Sequence, residues 1–150
     1  MHVTMNLEGA ASVREMLKHE KMRIRDKIMK EIYTAGIKVQ TEARKRLKQT
    51  KAWDTGHAAT SILVERSPDG ATVEVGPTAP YAPYIEFGAK PHFPPPDALE
   101  DWARRHGFDS AWPICRAIAK RGIKANPFLF PAYISEERQL FSRLHKIVSK

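Results

Sequence analysis

Six histidines, a single cysteine and seventeen carboxylates are the side chains of this 150-residue chain with the chemistry to ligate a metal, attack an electrophile or move a proton. The histidines fall at positions 2, 19, 57, 92, 106 and 145, no two of them at helical ligand spacing, and Cys115 has no second cysteine, so zinc has little support. Pro68-Asp69 followed by Glu74-Val75-Gly76 follows part of a two-metal nuclease pattern, but glycine stands where that chemistry needs a lysine. A tight turn accounts better for Pro68, Asp69 and Gly70. Asp54 and His57 have the types of an acid/base pair, yet no G-x-S-x-G elbow accompanies Thr60 and Ser61, and Asp54 reads as a cap at a helix end. Cys115 lies among Ile114, Ala117 and Ile118 and reads as a buried thiol. A glycine-rich phosphate loop is absent.

The elements that would position such groups follow from periodicity. Val3, Met5 and Leu7 alternate with Thr4 and Asn6, the pattern of a short strand ended by Gly9. Ser12 and Glu15 have capping-box spacing and predict a brief helix through Leu17. From about Glu20 to Gln49, Ile24, Ile28, Ile32, Ala35, Val39, Ala43 and Leu47 recur every three or four residues, which predicts a long amphipathic helix. At 1.5 Å per residue that helix would reach roughly 45 Å, with Gly36 a point of close packing. Ser61 to Arg66 and Ala71 to Gly76 flank Ser67-Pro68-Asp69-Gly70 and predict a β-hairpin.

Pro80 and Pro83 confine the next run to a loop that enters a short edge strand, with Ile85 and Phe87 on one face and Glu86 on the other. Asp97 and Glu100 repeat the capping-box spacing ahead of a helix with Leu99, Trp102 and Ala103. A further helix runs from Ala111 to Arg121, stopped by Gly122, so that residues of about 91–125 form an inserted helical hairpin. Pro131 opens a last helix with Ile134, Phe141, Leu144 and Val148 as its stripe. Trp102 and Trp112 read as core, and Trp53 as a surface anchor. The expected fold is α+β: one domain over 1–150, with a small antiparallel β-sheet packed against a long N-terminal helix and a C-terminal helix.

Charge is uneven. Residues 14–51 hold 13 Lys or Arg against 5 Asp or Glu, while the rest of the chain balances. Arg44, Lys45, Arg46, Lys48 and Lys51 make a candidate DNA- or partner-facing stripe, able to neutralise phosphates without reading sequence. The opening MHVTMNLEGA has neither a basic n-region nor an apolar h-region, and no apolar run is long enough to span a bilayer, so no secretory signal or membrane span is expected. Tyr81, Tyr84 and Phe87 cluster around Glu86, a composition suited to an interface.

These pieces, in this order, resemble the tail-component or neck proteins of long-tailed bacteriophages. The likeness rests on Ala43-Arg44-Lys45-Arg46 at the end of the long helix, Asp54-Thr55-Gly56, Ser61-Ile62, Tyr81 to Gly88, and Pro127 to Ala132, and runs from about Leu7 to Val148. Trp112 to Gly122 is similar to the helical insert of longer members. The resemblance implies a structural subunit with no enzymatic activity and no cofactor, made in the host cytoplasm and placed in the virion at the head–tail junction. There it would form a homo-oligomeric ring around the DNA channel, between head-closure or connector proteins and the tail terminator or tube. Tyr81, Tyr84, Glu86, Phe87, Pro127 and Phe128 are the candidate oligomer or partner interface. A nonspecific basic DNA-binding protein is the alternative, and a metal-dependent nuclease the third reading.

Overall fold

Between Ala10 and Gln49 the chain has no proline and is rich in Ala, Lys, Arg, Glu, Leu and Met, so nothing interrupts a helix. In a computed structural model, which describes residues 10–50 and 54–149, that stretch is one helix, α1 (Ala10–Gln49). The expected break between a brief helix through Leu17 and a second one from Glu20 is absent, because Lys18 and His19 carry no stop signal. Forty residues make α1 about 60 Å long, longer than expected. The strand expected at Val3 to Leu7 lies outside the described residues, as does Trp53.

A four-residue helix, α2 (His57–Thr60), leads into the hairpin of β1 (Ile62–Arg66) and β2 (Val73–Pro77). The strands are antiparallel with Val64 opposite Val75. Asp69 builds the turn: its Oδ1 accepts from Ser67 Oγ at 2.6 Å and from the Ala71 N–H at 3.0 Å, which spends this carboxylate on local geometry. The hairpin lies on α1 at Gly36, where a Cβ would meet Val73 Cγ1 at 2.6 Å, so the glycine is what permits the contact.

The segment expected as an edge strand is helical: α3 (Ala82–Phe87) has Pro83 in its first turn, where proline suits a helix. Ile85 and Phe87 therefore do not share a face. Ile85 is partly buried against the core, whereas Phe87 is 77% exposed. The chain then leaves the body through an isolated antiparallel bridge between Ala89 and Ile123, closed by N–H···O bonds of 2.9 and 2.8 Å. Gly88 and Gly122, both with φ of +71°, stand at its two sides, and a Cβ on either would strike the opposing backbone at 2.4 or 2.2 Å.

Beyond the bridge, α4 (Glu100–Arg105) and α5 (Trp112–Arg121) form the expected helical excursion around a small core of Ala103, Ala111 and Cys115. The second capping box is not made. Asp97 sits in a 3₁₀ turn (Pro96–Ala98), and Glu100 Oε1 instead accepts the Ala111 N–H ahead of α5 at 3.1 Å. Trp102 packs within the excursion against a tilted His106 ring and stacks on Phe108, but Trp112 is half exposed.

The last helix, α6 (Leu129–Val148), begins two residues before Pro131 and packs along α1. Ala132 joins Val39, Ala43, Leu47 and Phe128 in the main core, with Leu129 packed against it, and ion pairs also join the two helices. Arg143 Nε meets Glu31 at 2.9 Å, Lys38 meets Glu136 at 3.7 Å, and Arg143 also pairs with the buried Glu136. The expected apolar stripe is thus only partly used: Phe141 and Val148 are each 65% exposed.

Candidate assembly interface

Glu86 decides how the two most distinctive stretches of the chain meet. Its carboxylate receives the backbone N–H groups of Phe128 at 2.7 Å, Leu129 at 2.9 Å and Phe130 at 2.9 Å. These are donors that the first turn of α6 cannot satisfy within the helix, and the negative charge suits the positive end of the helix dipole. The Asn126 N–H, bonded to the Ile85 carbonyl at 2.7 Å, draws the two stretches together as well. Tyr81 to Gly88 and Pro127 to Ala132 are therefore two halves of one joint. Glu86 and Phe128, expected at an interface, are 6% and 0% exposed: a lone carboxylate with three donors inside the fold has no reason to face outward.

The helical turn that takes Glu86 inward sends its neighbours out. Tyr81, Tyr84 and Phe87 are 43%, 53% and 77% exposed, and Pro127 is exposed beside the joint. Phe130, Tyr133 and Phe141 on α6, also exposed, belong to the same surface, and sequence reasoning did not assign them to it. Phe130 lies within the Pro127 to Ala132 stretch and was the available signal, while Phe141 was absorbed into an expected core stripe.

Four of these aromatics, Phe87, Phe130, Tyr133 and Phe141, rim an open groove of about 630 Å³. Ile32, Ala35, Gly36 and Val39 of α1 form its floor, β2 one wall, α6 the other, and Phe87 and Pro83 its end. On the α6 wall Tyr133 Oη donates to Glu137 at 2.7 Å, and that bond raises the phenol's pKa above its ordinary value.

The described members of the expected basic stripe do not share one surface. Arg44 is turned into the fold, giving Nε to the Ala59 carbonyl at 3.0 Å and a guanidinium nitrogen to the Ile62 carbonyl at 2.9 Å. Arg46 pairs with Glu42 at 3.0 Å on its own helix. Lys45 and Lys48 are exposed, and Lys51 lies outside the described residues. The exposed basic surface is instead the first half of α1, with Arg14, Lys18, Lys21, Arg23, Arg25, Lys27 and Lys30 all on the outside.

Asp54 neither caps a helix nor pairs with His57. Its carboxylate takes Arg105 of α4 at 2.6 Å and His106 at 3.4 Å, tying the turn after α1 to the helical excursion. That hydrogen bond with Arg105 holds the Asp54 carboxyl below the usual carboxylate range. His57 lies instead against the Tyr81 ring at 6.2 Å. Among the described residues no group of His, Cys, Asp or Glu is placed to hold a metal ion, and no helix is long and apolar enough to cross a membrane.

The fold and surface define a scaffold that presents a groove rather than a pocket lined with reactive groups. The chain belongs to the bacteriophage family described as "Bacteriophage HK97-gp10, putative tail-component", whose model matches residues 11–88, just over half of the sequence. It is a structural phage tail component by that membership. The match spans α1, the hairpin and α3 and ends at Gly88, so the likeness noted for Pro127 to Ala132 and for the insert lies beyond it. No curated protein and no solved structure matches the chain significantly.

Proposed function

We propose that this chain is a subunit of a ring at the head–tail junction, where it surrounds the DNA channel and joins the head connector to the tail. The observation that carries the reading is the groove rimmed by Phe87, Phe130, Tyr133 and Phe141, with Tyr84 beside it: so many large aromatics exposed together on one face mark a surface made to be covered. A ring is built from one heterologous contact repeated by rotation, which needs two different faces on each copy. The groove is one, and the solvated first half of α1 offers another. Its partners are then further copies of itself, head-closure or connector proteins on one side, and tail terminator or tube proteins on the other.

Electron microscopy of a lysate from phage lacking this gene tests the reading. Filled heads and separate, unjoined tails are expected. Normal infectious virions would refute the assignment, and empty heads would move the role to packaging. Exposed Lys and Arg along the first half of α1 favour an added electrostatic contact with channel DNA. Such binding should be independent of sequence and fall steeply with salt.

A further inference from the structure

We propose that residues 3–7 of one copy add as a third strand to the free edge of β2 in a neighbouring copy, lowering Val3, Met5 and Leu7 into the groove. This rests on the ring reading and specifies its contact. The hairpin's end bonds, Thr78 N–H to the Ser61 carbonyl and Ser67 N–H to the Thr72 carbonyl, set the alternation of an antiparallel ladder. Glu74 and Gly76 therefore face β1, while the N–H and C=O groups of Val73 and Val75 point away from it. The outer edge of β1 is taken at its first residue, where the Ile62 carbonyl receives Gln40 Nε2 at 2.7 Å and Arg44 at 2.9 Å from α1. On the outer edge of β2 no hydrogen bond among the described residues reaches Val73 or Val75. An unpaired sheet edge that borders an apolar trough, as β2 does and β1 does not, is the arrangement that accepts an added strand.

Val3 to Leu7 has the matching pattern: apolar residues at alternate positions for the trough, Thr4 and Asn6 for the outside, and a length equal to the five residues of β2. The same copy cannot supply it. Val73 and Val75 lie over Gly36, which is about 39 Å along α1 from Ala10, whereas the three residues from Leu7 to Ala10 span at most about 11 Å. A neighbouring copy has no such limit, and a contact between one copy's leading segment and the next copy's groove is heterologous, as a ring requires.

The test uses full-length cysteine variants, with Cys115 fully buried in the small core. Glu74→Cys is mixed in turn with Thr4→Cys, Asn6→Cys and, as a helix control, Leu17→Cys, then mildly oxidised at high concentration while light scattering follows assembly. Oligomers with a Glu74 cross-link to residue 4 or 6 are expected, because a disulfide forms only between neighbouring backbones. Association with cross-linking through Leu17 alone would overturn the strand and leave the ring intact, and a strict monomer would overturn both. Two further variants guard against a folding artefact. Met5→Lys should raise the apparent Kd for self-association roughly tenfold or more, since it sets a charge into an apolar trough. Val75→Pro removes an N–H that β1 does not use, so circular dichroism should stay native while association is lost. Undiminished association of either variant would also overturn the proposal.

Discussion

The two halves of α1 carry the same helical periodicity and meet opposite fates. From Ala35 to Leu47 the recurring apolar residues are 5% exposed or less, and two of the four are alanines. Small side chains let α6, α2 and the hairpin approach closely, so this half holds the core. From Arg14 to Lys30 no apolar residue is fully buried: Met16, Leu17 and Met22 are 57 to 71% exposed among exposed cations, and Ile24, Ile28 and Met29 are half-buried. Amphipathic spacing thus marks which face of a helix is apolar, while the elements that come after it along the chain decide whether that face is covered. The first half is presented and the second is a foundation.

The sharpest way to break this contrast is a matched pair of truncations. Leu47→Ala should cost about 3 kcal/mol in urea unfolding, because its side chain is almost wholly buried and leaves a cavity. Removing the carboxylate that anchors α6 against the second half comes next: Glu86→Ala strands three N–H donors and should cost about 2 kcal/mol or more, with Glu86→Gln recovering part of it. Near the middle of the helix, Gly36→Ala should destabilise by about 1 kcal/mol net. The intrinsic helix gain of up to about 1 kcal/mol is outweighed by overpacking against Val73.

A smaller effect appears in acid. Asp54 is held below the usual carboxylate range, chiefly by its hydrogen bond with Arg105, so the folded state favours its ionised form. Its contribution is full above the ordinary carboxylate range and fades as pH falls through the depressed value. The Tm difference between wild type and Asp54→Asn should therefore vanish in strong acid, and it should be modest throughout because the two side chains are 22% and 45% exposed. Smallest of all, Leu17→Ala, at 57% exposure, should leave the urea midpoint within the equivalent of about 0.5 kcal/mol. A Leu17→Ala cost comparable to that of Leu47→Ala would show that the first half is covered after all.

Much of this architecture was legible in local pattern. The spacing of Ile24 to Leu47 carried the long helix, the β-rich runs around Ser67-Pro68-Asp69-Gly70 carried the hairpin, and the run around Cys115 carried the second helix of the insert. Each of these elements is specified by residues a few positions apart. The aromatics Tyr81, Tyr84 and Phe87 were likewise recognisable as a surface cluster. Phe130, Tyr133 and Phe141 were not, because the groove they border exists only once α6 lies beside α1 and opposite β2.

Sequence by itself determined where the chain is helical or extended over long periodic runs, and which residues could be apolar-faced. Tertiary structure decided the state of Tyr84 to Phe87, a run too short for its period to separate strand from helix. As a strand, Glu86 would have stood outside. As a helical turn it reaches the N-terminus of α6, 42 residues away in sequence from Phe128, and exchanges water for three backbone donors. The energy that selects the helix lies in that distant contact, so no local pattern could contain it.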